Sequence, residues 1–163
     1  MRRFAVRPIV EDDWDRLRGL RLEMLEDTPL AYLDTLAEAR RVDDAGWRAR
    51  AERQTGPGSI TVLAESDGRL VGTMGGYLAS GRDPMLVSVF VTPAWRGSGL
   101  SALLLAPVEE WAGTHGTALA LEVHERNPVA IRAYERLGFV ATGRTTAYPL
   151  EAGGLELEMV KAV

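Results

Sequence analysis

The stretch "VFVTPAWRGSGLSALLL", Val89–Leu105, decides how the rest of the chain is read. A β-branched apolar run ends at Val91, and a leucine-rich run begins at Leu100. Arg96, Gly97 and Gly99 stand between them. Glycine weakens helices and strands alike, so two glycines at the entrance of an apolar helix point to a backbone that something must approach closely. The first turn of a helix carries unpaired N–H groups and the positive end of its dipole, which suits a phosphate.

Three readings of this stretch compete. A phosphate loop of the GxxxxGK type fails, because no lysine follows the glycines. The dinucleotide fingerprint G-x-G-x-x-[G/A] is met by Gly97, Gly99 and Ala102, with Glu122 at the distance of a ribose-binding acid. Against it, Thr92–Arg96 separate strand from glycines, and only one strand–helix–strand unit is visible. The plain alternative is a helix start that uses glycine for a tight turn.

Working outward, Phe4–Pro8 reads as a first strand, and Asp12 or Asp13 opens a helix through Trp14, Leu17, Leu20, Leu22 and Leu25. A second helix is expected over Tyr32–Arg41 and a third from Asp43–Asp44 through Trp47 to Arg53. "SITVLAES" and "RLVGTMGGYL" flank Asp67–Gly68, a two-residue hairpin turn. Met85–Val91 is the next strand, and Ser98–Thr114 a helix with Leu100, Leu103, Leu104, Val108 and Trp111 inward. Ala118–Val123 is a strand. Asn127 caps a helix with Pro128 at its first position, and Gly138 ends it. Phe139–Tyr148 and Leu155–Lys161 are paired final strands. Trp14, Trp47 and Trp111 are read as core, and Trp95 as partly exposed. The three glycines of "GTMGGY" fit a bulge or a close ligand approach.

The pattern predicts an α+β sandwich, a mixed but mostly antiparallel sheet flanked by helices, as a single domain over residues 1–163. Hydrophobic residues are 46% and charged residues 26% of the 163, an ordinary globular balance. The net charge of −4 argues against a nucleic-acid partner held by bulk electrostatics. No run suits a membrane span or a signal peptide, so a cytoplasmic protein without membrane association is expected. The chain has no cysteine, which excludes disulfides, thiolate metal sites and a cysteine nucleophile. With only His115 and His124 besides, no metal is expected. The arginines between Arg40 and Arg53 interleave with Glu38, Asp43, Asp44 and Glu52, as on a solvated helix face.

Two segments together resemble one family. "VFVTPAWRGSGLSALLL" is similar to the acetyl-CoA signature of the GNAT superfamily of N-acetyltransferases, R-x-x-G-x-[G/A] after a strand; Arg96 and Gly99 match, and Ser101 replaces the usual glycine or alanine. "LEVHERNPVAIRAYERLGF" matches the family's next segment at Leu121, Val123, Asn127, Ala130, Tyr134, Gly138 and Phe139. The resemblance implies a sheet whose two parallel strands splay at the cofactor site. It implies acetyl-CoA with its pyrophosphate on the backbone of Arg96, Gly97, Ser98, Gly99, Leu100, Ser101 and Ala102. Pantetheine would run along Val89, Phe90 and Val91, with Asn127 a further contact. Tyr134 is then the acid for the leaving thiolate. Glu122 is the candidate base, on a strand where some members that acetylate protein N-termini carry a glutamate; His124, on the same face by period 2, is its rival and otherwise an exposed histidine. The expected reaction is direct attack of a primary amine on the thioester in a ternary complex. The acceptor is a small molecule or a protein N-terminus. Homodimers are common in the family, though no interface is legible. A non-catalytic acyl-CoA-binding domain and a dinucleotide-dependent oxidoreductase are the alternatives.

Overall fold

The computed structural model describes residues 3–163, so Met1 and Arg2 of the expected domain lie outside the described residues. Seven strands form one sheet in the order β1-β2-β3-β4-β5-β7-β6. They are β1 Ala5–Pro8, β2 Ser59–Ser66, β3 Arg69–Tyr77, β4 Met85–Val91, β5 Ala118–His124, β6 Val140–Ala147 and β7 Leu155–Ala162. Helices α1 Trp14–Asp27, α2 Leu36–Arg41 and α3 Asp44–Thr55 precede β2; α4 Leu100–Gly113 joins β4 to β5, and α5 Pro128–Arg136 follows β5. Every strand pair is antiparallel except β4 with β5. This is the expected mixed, helix-flanked α+β fold.

The turns form where the residues favour them. Asp67 and Gly68 both take positive φ (49° and 76°), the geometry of a type I′ hairpin. Gly138, at φ 97°, closes α5, and Phe139 N–H donates to the Tyr134 carbonyl at 3.0 Å. Asn127 Oδ1 accepts from Ala130 N–H at 3.2 Å, the predicted cap of α5.

Two cores lie on the two faces of the sheet. Leu100, Leu104, Leu105 and Val108 of α4 pack on Val62, Met74 and Leu121. Leu17, Leu20 and Met24 of α1 and Trp47 of α3 pack on Leu63 and Phe90. Adjacent residues Val62 and Leu63 thus face opposite cores, as the pleat requires. In β4, Leu86 and Phe90 should share a face by period 2, yet they lie in opposite cores. The register explains this: Val87 pairs with Gly75 and Phe90 with Thr73, so Ser88 and Val89 oppose Met74 alone. This is a β-bulge, and Ser88 takes the left-handed conformation at φ 53°.

Several expectations are corrected. The second helix begins at Leu36, not Tyr32, because Thr35 and Glu38 form a capping box there: Glu38 N–H donates to Thr35 Oγ1 at 3.2 Å and Thr35 N–H to Glu38 Oε2 at 3.0 Å. The first helix is entered through a 3-10 turn, Glu11–Asp13, and Asp13 does not cap it. Its carboxylate turns back to Arg7, at 2.8 Å to each Nη, and that contact holds it below the usual carboxylate range. Helix α4 starts at Leu100, two residues late, because Gly99 is left-handed. Leu103 faces solvent (51% exposed), and Leu105 takes its place inside. Trp95 is buried and meets the Phe4 ring edge-on at 5.5 Å. The bulge expected at the glycines of β3 is present, since Ala64 pairs with Gly72 and Glu65 with Leu70, leaving Val71 extra; Gly76 and Gly72 also make room for α4, where a Cβ would lie 2.6 Å from the Trp111 ring and 3.0 Å from Leu104. A serial strand–helix–strand dinucleotide fold is absent among the described residues, since β4–α4–β5 supplies the one parallel pair.

Candidate active site

Strands β4 and β5 pair at Met85↔Ala120, with Ala120 N–H donating to the Pro84 carbonyl at 2.9 Å. Beyond that point they splay. The bulge at Ser88–Val89 bends β4 away, while β5 follows β7 in unbroken register from Ala118 to His124. A cavity of about 210 Å³ opens between them, lined by Val87, Ser88 and Val89 on one lip and Glu122, Tyr134 and Glu156 on the other. Tyr32 closes one wall, its hydroxyl donating to the Val89 carbonyl at 2.9 Å.

The glycine loop lies at the far end of β4. A 3-10 turn, Pro93–Trp95, precedes it. Gly97 and Gly99 both take positive φ (75° and 84°), and a Cβ at either would meet nothing within 4 Å. These glycines are therefore required by backbone conformation, and the surface above them is open. Ser98 Oγ donates to the Trp95 carbonyl at 2.6 Å and accepts weakly from Leu100 N–H. The Arg96 guanidinium turns back, donating to the Val91 carbonyl at 3.0 Å and to Asp27 at 2.5 Å. Arg96 thus braces the loop with its side chain, while its N–H donates to the Pro93 carbonyl at 3.2 Å and the Ser98 N–H to the Trp95 carbonyl at 3.3 Å. The N–H groups of Leu100, Ser101 and Ala102 belong to the first turn of α4, where helix geometry provides no backbone partner. An open cradle of backbone donors on a helix dipole fits a pyrophosphate.

Two carboxylates meet at the other lip. Glu122 stands on β5 and is held by Arg82, whose Nη2 donates to Oε1 at 2.8 Å. Glu156 stands on β7, opposite His124 in the register. Burial, then the charge of Glu122 and a hydrogen bond shared with it, push the Glu156 carboxyl up to about 7. Sequence reasoning missed Glu156, because "LELEMV" reads as an ordinary alternating strand. Tyr134, on α5, packs edge-on against Phe139 with its ring 5.9 Å away, and burial raises its hydroxyl above the ordinary phenol range, so it holds its proton at neutral pH.

His124 is not the exposed histidine expected. It is 1% exposed, and its Nδ1 accepts from Arg126 N–H at 3.0 Å. Its Nε2 lies 3.2 Å from Glu151 Oε2, which assigns the ring proton to Nε2. Its ring meets Tyr148 edge-on at 4.7 Å, and the Tyr148 hydroxyl donates to the Tyr32 carbonyl at 3.1 Å. Both ring nitrogens are engaged, so His124 is a support beneath the site. Asn127 is accounted for by its cap. No group of three or more His, Asp or Glu side chains able to hold a metal ion occurs among the described residues. No helix among them is long and apolar enough to cross a membrane.

Comparison with known proteins identifies the family and the fold. The model of the acetyltransferase (GNAT) family matches residues 18–139, from within α1 to the start of β6. An uncharacterised N-acetyltransferase of Mycobacterium tuberculosis is 32% identical over 97 residues, covering 59% of this chain and 62% of that protein. An L-2,4-diaminobutyric acid acetyltransferase of Nocardia farcinica is 34% identical over 102 residues, covering 61% of this chain and 52% of that protein. The match thus spans less than two thirds of these curated relatives' own length. A structure from Salmonella typhimurium, solved with acetyl-CoA as its cofactor, superposes with a TM-score of 0.77 at 20% identity, covering 98% of this chain and 94% of that one.

Proposed function

The chain belongs to the acetyltransferase (GNAT) family, and on that premise we propose that it transfers an acetyl group from acetyl-CoA to a primary amine in the cleft between β4 and β5. The observation that carries this reading is the splay beyond Met85↔Ala120, with an open N–H cradle at one end and a proton-accepting carboxyl at the other. Bound acetyl-CoA would supply the activated acetyl thioester. The backbone of Arg96 to Ala102 would hold its pyrophosphate through the N–H groups that the loop's own turns leave free, those of Leu100, Ser101 and Ala102 above all, and the β4 edge at Val89, Phe90 and Val91 would pair with its pantetheine. Asn127 would be a further contact through its side-chain amide nitrogen, its Oδ1 being taken by the cap.

The chain's own groups then move two protons. An amine enters as an ammonium ion and cannot attack until it loses one. Glu156, near 7, is the carboxyl suited to take a proton at neutral pH; burial first and Glu122 second raise it, while Arg82 compensates Glu122. We thus place the base in the Glu122–Glu156 pair, with Glu156 as the accepting atom group. Tyr134, protonated, donates to the departing sulfur, and the second proton, shed by the nitrogen once it has attacked, restores the Tyr134 hydroxyl, so that the one net proton released is the one Glu156 took. A main-chain N–H near Val89–Val91 faces the carbonyl oxygen as charge gathers there. With no cysteine in the chain, direct transfer in a ternary complex is the simplest course.

The acceptor class covers small amines and protein N-termini; the Nocardia relative's name specifies a diamino acid. We take residues 1–163 to act as one cytoplasmic catalytic domain, with no metal, nucleic acid or membrane as partner. Initial rates with both substrates varied test the mechanism. Intersecting double-reciprocal lines are expected, and parallel lines would overturn direct transfer.

A further inference from the structure

A second cavity, of about 120 Å³, adjoins the cleft at Ser88 and Arg21, which line both. Helices α1 and α3 roof it over β3 and β4. Its walls carry an apolar floor, Met24 and Trp47, and polar groups that the reaction does not use: Arg21, Arg50, Gln54 and Thr73. Thr73 is 2% exposed, and its hydroxyl has no hydrogen-bond partner among the described residues. A buried hydroxyl is rarely left unpaired unless a ligand or water completes it.

The charge is lopsided. Arg21 Nη2 donates to Asp34 Oδ1 at 2.5 Å, and Arg50 Nη1 lies 3.5 Å from Asp34 Oδ2. One carboxylate therefore serves two guanidinium groups, and an excess positive charge remains on this wall. The rings of Tyr32 and Trp47 lie 4.7 Å from the Arg21 and Arg50 guanidinium carbons and fix their planes. A guanidinium has five N–H donors, and Asp34 accepts one from each. At the other end of the joined cavities stand Glu122 and Glu156. The space is basic at one end and acidic at the other, with the bulged Ser88 between.

We propose that the acceptor is a small amine that carries a carboxylate: the carboxylate docks between Arg21, Arg50 and the Thr73 hydroxyl, while the ammonium faces Glu122 and Glu156. This rests on the acetyl-transfer reading and names the substrate class of that site. Charge complementarity at both ends selects a zwitterion over a simple amine, and a guanidinium pair with a hydroxyl matches the planar, multiply accepting carboxylate.

The test compares amino acids with the same amines lacking the carboxylate. The pairs are β-alanine with ethylamine, 4-aminobutyrate with propylamine, ornithine with putrescine, and lysine with cadaverine. Acetyl-CoA turnover is read as thiol release, and acetyl-CoA affinity is measured separately by calorimetry. In at least one pair the acid should exceed its partner in kcat/KM by ~10–100-fold, the range expected for charged hydrogen bonds. Arg50→Gln should erase that preference by raising KM, with acetyl-CoA affinity unchanged. Thr73→Val, which keeps the shape, should raise KM for the acid by ~10-fold while the free protein loses no stability. If decarboxylated amines or protein N-termini react as well as the acids, the inference fails and acetyl transfer stands. If neither member of any pair reacts while another amine or a protein N-terminus does, the inference fails alone; if acetyl-CoA binds and no amine of any class reacts, the inference fails with the catalytic reading.

Discussion

Replacing Glu156 by glutamine should make the protein slower and more stable at once. A neutral amide keeps the shape of the protonated carboxyl and cannot take a proton. The structure raises Glu156 from 4.5 to about 7. That corresponds to roughly 3 kcal/mol favouring the protonated form, which partial exposure screens to about 1–2 kcal/mol. The sign follows from linkage. Between about 4.5 and 7 the native state keeps a proton that the unfolded chain has lost, so wild-type stability falls across that window and then levels off. Glu156→Gln has no such proton to lose. It should match the wild type near pH 4.5 and exceed it by about 1–2 kcal/mol at pH 8, measured by urea unfolding at both values. Its kcat/KM at pH 7 to 8 should drop by ~10²–10⁴-fold, the worth of a positioned base, and the acidic limb near 7 should vanish. Glu122→Gln separates base from neighbour. It removes a like charge, so the limb should move to lower pH, only part of the way, since burial is the larger cause. A limb intact in Glu156→Gln and lost in Glu122→Gln would refute the assignment and return the base to Glu122.

Further expectations test other parts of the site. Tyr134→Phe should lower kcat with little change in acetyl-CoA affinity, because it removes a proton donor and no binding surface; an unchanged kcat would show that the thiolate departs unaided. Gly99→Glu should abolish acetyl-CoA binding in calorimetry. Gly99→Ala suffers the same left-handed strain, of about 1–2 kcal/mol, and should retain binding if charge is the cause. Gly76→Ala should destabilise the fold by about 1–3 kcal/mol in urea melts, since the Trp111 ring must move from a Cβ 2.6 Å away.

The glycine loop was legible as a special backbone position, because glycine at the entrance of an apolar helix weakens it unless the chain needs its conformational freedom, and Gly97 and Gly99 are both left-handed. Strand β4 was legible to the residue, and the parallel β4–β5 pair followed from the helix between them. The bulge was not legible: nothing in "MLVSVFV" marks Ser88 as the extra residue, yet it opens the cleft. Glu156 stayed hidden because its site depends on β7 inserting between β5 and β6, a long-range pairing that local periodicity does not encode. His124 was misread for the same reason, as Tyr148 and Glu151, which bury and engage it, come from the segment joining β6 to β7. The late start of α2 was written in Thr35 and Glu38, a capping box available in the sequence and passed over.

The central claim is that this cleft transfers acetyl groups and does not merely bind acyl-CoA. The most direct measurement counts both products in one tube: N-acetylated amine by mass spectrometry and free coenzyme A thiol by titration. The wild type is set beside the Tyr134→Phe, Glu156→Gln double variant, with acetyl-CoA affinity measured for each. The account predicts equal amounts of the two products from the wild type, and near-complete loss of both in a variant that still binds acetyl-CoA. Tight acetyl-CoA binding by the wild type with no N-acetylated amine across the amine panel would contradict it.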